Sequence, residues 1–344
     1  MTFTYRLSIA TGLIGSLGLL VFALVPASGS TIFQGLHVQL AIAAPIVLFS
    51  VLNGLQMSAL AGLEGFAATA RTVTPLMLLQ VLSTALATHL TGLNGALIAM
   101  TVNFGLRTLL IGSVLQQQAR TAGIVGSQGS QMRVHRMVLG FILPSALSGF
   151  TNLPAVWLAS EALIGTADGY AEVGRLNASL TLRGALMILP WVVNAVGFSL
   201  LNAHLARKHA SDFQRILGVN LLLCGSAAGV GALVTAAFSG TILRAYGVSF
   251  VQAEPVLRVL MLSLIAEALM WPLYQALLSR RHVWLALLVT QLPRDLLIAL
   301  FGIHLATSHG ALGVAWAHAA GWGVALLGCL ALLLILPRPT ALPQ

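Results

Sequence analysis

The chain has 344 residues, of which 58% are hydrophobic and 7% charged, against roughly 45 to 50% and about 25% in soluble domains. With a mean hydropathy of +0.94, a soluble fold is excluded and the bilayer becomes the solvent in which the sequence is read. The net charge of +9 comes from basic residues that punctuate apolar runs and form no patch with interleaved aromatics, which argues against a nucleic-acid partner.

Apolar windows able to cross about 30 Å of hydrocarbon fall at 5–25, 36–60, 73–90, 95–115 and 137–163, then at 174–205, 213–243, 256–278, 283–305 and 311–336. They predict an all-α polytopic membrane protein of about ten transmembrane helices. The first window has a second reading as a cleaved secretory signal, with Arg6 ahead of an apolar stretch ending in Ala27-Ser28-Gly29, although its run is longer than a usual signal core. The longest polar connection, 116–136, is rich in Gln, Gly and Ser and reads as a cytoplasmic linker. It separates a four-span N-terminal bundle, 1–115, from a six-span C-terminal bundle, 137–344.

With the N-terminus inside, eleven basic residues lie at cytoplasmic span ends: Arg6, Arg71, Arg120, Arg133, Arg136, Arg207, Lys208, Arg215, Arg280, Arg281 and Arg338. Only Arg175, Arg244 and Arg258 lie on the opposite side. That asymmetry satisfies the positive-inside rule, places both termini in the cytoplasm and predicts a multi-pass inner-membrane protein.

An internal repeat crosses the linker. Gly15-Ser16 is echoed at Gly225-Ser226, Ser28-Gly29 at Ser239-Gly240, Leu86-Ala87-Thr88 at Leu305-Ala306-Thr307, and Gly95-Ala96-Leu97 at Gly310-Ala311-Leu312. Spans one to four therefore match spans seven to ten as parallel repeats, a common plan in transporters. Spans five and six have no partner in the first copy, which predicts a missing pair of leading helices, about 70 residues by the length of the unmatched pair.

Ionisable groups at membrane depth cost at least about 2.5 to 3.5 kcal/mol each and are kept where they face a cavity or a partner. Five stand out: Arg107, Arg183, Arg294, Glu267 and Asp295. Gln291 lies three and four residues before Arg294 and Asp295, on one polar stripe. Arg294 and Asp295, about 100° apart around a helix, are expected not to neutralise each other squarely. Asn103 precedes Arg107 by one turn and shares its face, while Arg107 also has a reading as a residue snorkelling to the interface. Three arginines against two acids bias the interior positive, and a guanidinium binds phosphate oxygens through its planar fork at any working pH. Glu267 and Asp295 are candidates for coupling to H+ or Na+.

Cys224 and Cys329 sit in apolar runs, with neither disulfide nor zinc spacing. No nucleotide-binding loop, zinc-protease motif or nucleophile elbow is present, and no catalytic residue, metal ligand or bound cofactor is predicted. His37, His89, His304, His309 and His318 lack ligand spacing and read as ordinary polar positions. The six tryptophans read mostly as an interfacial belt. The chain is expected to be a carrier and not an enzyme.

The run from Phe141 to Trp157, containing Ser148-Gly149-Phe150-Thr151-Asn152-Leu153-Pro154, followed by Gly169-Tyr170-Ala171-Glu172-Val173-Gly174, resembles the start of the second bundle in Wzx-type oligosaccharide flippases of the MOP superfamily, which includes the MATE transporters. Leu60-Ala61-Gly62-Leu63-Glu64-Gly65-Phe66, Tyr246-Gly247-Val248-Ser249-Phe250 and Gly310-Ala311-Leu312-Gly313 are similar echoes. The resemblance implies two bundles around a central cavity, here matching helices three to twelve of twelve. It implies flipping of a polyprenyl-pyrophosphate-linked oligosaccharide from the cytoplasmic to the periplasmic leaflet for O-antigen or exopolysaccharide biosynthesis. Arg107, Arg183, Arg294, Gln291 and Asn103 would contact an undecaprenyl-pyrophosphate-linked substrate, and polysaccharide polymerase and chain-length proteins would be partners. The alternative is an ion-coupled drug or organic-cation antiporter of the same fold; it is expected to carry membrane-depth acids in the first bundle, where this sequence has none.

Overall fold

The computed structural model describes residues 2–24, 36–63, 65–123, 138–206 and 210–336. Inside hydrocarbon a backbone N–H or C=O finds no water, so each apolar run must pair its own polar groups as a helix. Among the described residues there is no strand, and eight helices are long and apolar enough to cross a membrane. Two of these candidates have 55 and 53 residues; straight, each would be about 80 Å long at 1.5 Å per residue, more than twice the hydrocarbon thickness. Both fold back on themselves.

The first, α3 (Phe66–Thr121), breaks at Thr91 and at Gly92, which has φ 64° and ψ −143°. Asn103 Nδ2 then donates to Ser83 Oγ at 2.8 Å across twenty residues, which a straight helix would hold about 30 Å apart. The other long helix of this kind, α10 (Leu292–Ile335), breaks at Gly310, with φ 58° and ψ −143°. There a Cβ built on Gly321 would stand 3.0 Å from the carbonyl oxygen of Arg294, so its two arms also lie side by side. Eight continuous helices therefore make ten spans, and the chain is an all-α polytopic membrane protein.

By backbone contacts the chain divides into Met1–Gln128 and Gly129–Gln344. In unit one α1 (Thr2–Leu24) and α3 both pack on α2 (His37–Gly62). α3 runs six residues into the segment assigned to the linker, through Thr121; 124–137, with Arg133 and Arg136, lies outside the described residues, as do Ser28, Gly29, Glu64, Arg207, Lys208 and Arg338. Unit two opens with a π turn, Val138–Ile142, leading into α4 (Leu143–Ile164), α5 (Gly169–Ala206) and α6 (Ala210–Ala237). The short α7 (Ser239–Arg244) and a 3-10 turn, Val248–Ala253, lead to α8 (Glu254–Ser279), α9 (Val283–Ala286), a second π turn (Leu287–Gln291) and α10. α8 is the hub, packed by α5, α6 and α10, while α4 lies along α10. Leu176, Met187, Leu257, Leu260 and Leu264 are buried in its core.

The repeat is sharper in three dimensions than in sequence. α2 and α8 have 26 residues each and start and end 217 positions apart; so do the starts of α3 at Phe66 and α9 at Val283. The breaks at Gly92 and Gly310 are 218 apart with nearly the same φ and ψ. Gly95 and Gly313, also 218 apart, are equivalent: an added Cβ would meet the Ala87 carbonyl oxygen at 2.2 Å in one and the Leu305 carbonyl oxygen at 2.3 Å in the other. The sequence pairings of Leu86 with Leu305 and Gly95 with Gly310 are therefore out of register by one and three residues. The residue gained between Val283 and Gly310 is carried by the π turn Leu287–Gln291, whose i→i+5 loop holds one residue more than an α turn.

The copies differ in what covers them. In α8 61% of the hydrophobic window is buried and in α2 17%, because α5 packs on α8 and no described helix takes that place on α2. Glu267 on α8 corresponds, 217 residues earlier, to the exposed Ser50.

Gly310 is also fixed from outside its helix. Glu172, in the first turn of α5, accepts a hydrogen bond from the Ala311 N–H at 2.7 Å and pairs with Arg175, which in turn donates to Gln252. A Cβ on Gly310 would lie 2.6 Å from Glu172 Oε2, whereas one on Gly92 meets nothing within 4 Å. Gly310→Ala should therefore destabilise the purified protein more than Gly92→Ala, which pays only the backbone strain of about 1 to 3 kcal/mol. Thermal unfolding of both variants in one detergent checks this; equal shifts would contradict the Glu172 contact.

Candidate functional site

The ionisable groups at membrane depth in unit two converge on one place. Arg183 on α5 pairs with Glu267 on α8, and its Nε donates to Ser263 Oγ at 2.7 Å. The other oxygen of Glu267 accepts the Trp271 indole N–H at 3.1 Å, one turn along α8. Arg294 and Asp295, at the start of α10, lie 2.7 Å apart, and Arg294 Nε donates to Asp295 Oδ1 at 2.8 Å. The expectation that adjacent positions would keep them from neutralising each other is corrected: the long arginine stem curls back over its neighbour. From α4, Thr151 donates to Asp295 Oδ2 at 2.6 Å and Asn152 to Oδ1 at 3.0 Å.

A tryptophan joins the two pairs. The guanidinium carbon of Arg294 lies 4.4 Å and that of Arg183 5.6 Å from the ring centroid of Trp322, within the range of cation–π attraction. Arg183, Ser263, Glu267, Arg294, Asp295 and Trp322 are buried, and Thr151, Asn152 and Trp271 are half-buried. Trp322 therefore belongs to the site and not to an interfacial belt. Two guanidiniums against two carboxylates leave the cluster formally neutral, in place of the positive bias expected from counting all five membrane-depth charges.

Gln291 closes the π turn, buried against Met270 Sδ at 3.8 Å and Thr290 Oγ1 at 3.5 Å. The turn lies just ahead of Arg294 and Asp295, a position where π turns commonly re-aim functional side chains. His318, one turn before Trp322 on the second arm of α10, is 4% exposed; neither ring nitrogen has a hydrogen-bond partner, and both Arg183 and Arg294 are within electrostatic range. Read in sequence as an ordinary polar position, it is the residue that reasoning missed. Its i+4 spacing to Trp322, in a span otherwise free of titratable side chains except Cys329, was the available signal.

Unit one holds the other two sequence candidates. Asn103 donates to Ser83 Oγ at 2.8 Å and to the Ala99 carbonyl at 2.7 Å, so it staples the arms of α3 together and does not share its amide with Arg107. Arg107 is half-buried and its Nε, fully buried, has no hydrogen-bond partner. The only acid in residues 1–128 is Glu64, outside the described residues. A groove of about 560 Å³ between α5 and α6, lined mainly by Val192, Val196, Leu200, Ile216 and Val219 with Asp212, Arg215 and Asn220 also on its wall, contains none of the residues of the charged cluster.

Helices folded back at paired glycines, in two units related by a repeat, define the fold class of this polytopic membrane protein. Solved structures place it more closely. The chain is similar to a multidrug resistance MATE family transporter in an outward-facing conformation, with TM-score 0.74, 17% identity and coverage of 95% of this chain and 76% of that one. It is also similar to a MOP superfamily transporter from Pyrococcus furiosus with a binding pocket of reverse polarity, at TM-score 0.72, 17% identity and coverage of 95% and 76%. The lipid II flippase MurJ matches at TM-score 0.65 and 15% identity over 98% of this chain and 73% of that one. The chain has the MATE/MOP fold. No protein-family model and no curated protein sequence matches it.

Proposed function

We propose that the protein flips a polyprenyl-pyrophosphate-linked oligosaccharide from the cytoplasmic to the periplasmic leaflet of a bacterial inner membrane, by alternating access. The observation that carries this reading is Arg107: a membrane-depth guanidinium with a buried, unpaired Nε in a unit whose described residues contain no carboxylate. An uncompensated cation in hydrocarbon calls for an anion, and the arginine fork suits a pyrophosphate. In unit two the pyrophosphate would compete with Glu267 and Asp295 for Arg183 and Arg294, with Gln291 beside them. A proton or Na+ on either carboxylate would loosen its hold on the arginine, which is how an ion gradient enters the cycle. That one neighbour of this fold is a lipid II flippase supports the substrate class; that others are multidrug transporters keeps cation antiport as the rival.

In cells whose surface polysaccharide depends on this chain, Arg107→Ala should cut polymer at least about tenfold, the loss of one charge-assisted contact worth roughly 1.5 to 3 kcal/mol, and Arg107→Lys should retain part of it. Unchanged polymer in Arg107→Ala, or export of a cationic dye driven by a proton gradient, would favour the antiporter.

A further inference from the structure

Every carboxylate oxygen in the buried cluster of unit two already accepts at least one hydrogen bond, so a proton arriving there competes with an existing partner. Glu267 accepts from Arg183 and Trp271, one partner on each oxygen. Asp295 accepts from Thr151 on one oxygen and from Asn152 and Arg294 on the other. His318 alone among the buried ionisable groups of the cluster has a ring with both nitrogens unpaired, and at 4% exposure it is not hydrated from outside. An unmade hydrogen bond on so buried a group costs about 1 to 3 kcal/mol, a cost that a functional role can explain.

We infer that His318 is the group that takes up the coupled proton when the anionic headgroup enters between Arg183 and Arg294. The inference rests on the anionic-substrate reading above and adds, beside the two carboxylates, a further place for a coupled proton. The charges that act on His318 are Arg183 on α5 and Arg294 on the first arm of α10, each closed by its own carboxylate, Glu267 on α8 and Asp295 beside Arg294; α4 contributes the uncharged Thr151 and Asn152, which bond Asp295. With those pairs closed the cluster is neutral, and a proton on His318 would add a lone positive charge to a dry interior. A pyrophosphate that draws the two guanidiniums to itself brings at least two negative charges, and an imidazolium one turn from Trp322 then offsets part of them and gains an acceptor for its N–H. Anion binding and proton uptake at His318 thus reinforce each other, and by linkage the proton tightens the anion by the same factor. No covalent step is involved; the proton comes from water when the site opens and returns to it when the headgroup leaves.

The test uses the full chain in phosphatidylcholine nanodiscs and geranylgeranyl pyrophosphate as the probe. Isothermal titration at one pH in two buffers of different ionisation enthalpy gives the protons taken up per molecule bound. Wild type should take up more protons than His318→Gln, by a difference of up to about one per ligand, while His318→Gln still binds with its affinity lowered by no more than the linkage factor. His318→Asn, whose amide mimics a neutral ring N–H in another position, should behave as His318→Gln. Binding with equal proton uptake in wild type and both variants would overturn the inference and leave the substrate reading standing. Absence of binding by wild type at every pH would overturn the substrate reading and this inference with it. Variants that bind nothing while wild type binds would show His318 to be a contact for the ligand and overturn its role as proton acceptor.

Discussion

Replacing Arg183 and Arg294 together by alanine is expected to abolish surface polysaccharide in cells that depend on this chain, while the protein remains inserted. Each guanidinium lies on Trp322 and is held by a carboxylate, so each is preset to turn a planar fork toward a phosphate. Losing two charge-assisted contacts of roughly 1.5 to 3 kcal/mol each removes a factor of at least about 10² in substrate binding. The substitution also strands Glu267 and Asp295, which buried and alone would become neutral by taking protons, so lost activity could reflect altered packing. A second variant separates the effects. Arg183→Met, Glu267→Leu, Arg294→Met and Asp295→Asn combined removes both pairs without leaving a lone charge. It should unfold at a temperature close to wild type and still make no polymer. Normal polymer in either variant would sink the assignment of these arginines.

The largest effect on stability is expected from Glu267→Ala. Glu267 sits on the hub helix, almost fully buried, where it receives Arg183 and Trp271. Removing one partner of a buried pair typically costs about 3 to 5 kcal/mol, because the other charge is left uncompensated, whereas replacing both by apolar groups of similar size is often neutral. Glu267→Ala should therefore lower the thermal midpoint strongly, and Arg183→Met with Glu267→Leu should restore most of it. A double-mutant cycle in detergent reads the coupling directly. Additive losses would mean that the pair does not act as a pair.

The sequence carried the spans, because hydropathy is a local quantity. It even marked the folds within α3 and α10, as gaps between windows at 90–95 and 305–311. It could not carry the pairings. Arg183 meets Glu267 across 84 residues, and Asp295 meets Asn152 across 143; nothing in helical spacing links them. Where spacing was used, it misled once. Arg294 and Asp295 were separated by angle alone, which ignores the reach of an arginine stem. Asn103 and Arg107 do follow each other by one turn on the second arm of α3, but spacing gives no hint that the Asn103 amide bonds Ser83 across the hairpin. The repeat was visible but out of register, by one residue at Leu86 and three at Gly95, because short runs of Gly, Ala and Leu recur too often in apolar helices to fix an alignment. His318 and Trp322 were passed over because a lone histidine or tryptophan carries no periodic signal; only the packing of α5, α8 and α10 shows that they share a site with both ion pairs.

Translocation itself is the most direct test. The purified chain is reconstituted into liposomes with a fluorescent polyprenyl-pyrophosphate disaccharide, and the labelled lipid in the outer leaflet is quenched at intervals with and without a proton gradient. The account predicts that the lipid changes leaflet faster with the protein than without it, that a gradient acid on the side the lipid leaves accelerates the exchange because the proton travels with the headgroup, and that a cationic dye trapped alongside stays where it is. Movement of the dye under the gradient with the lipid left in its original leaflet would contradict it.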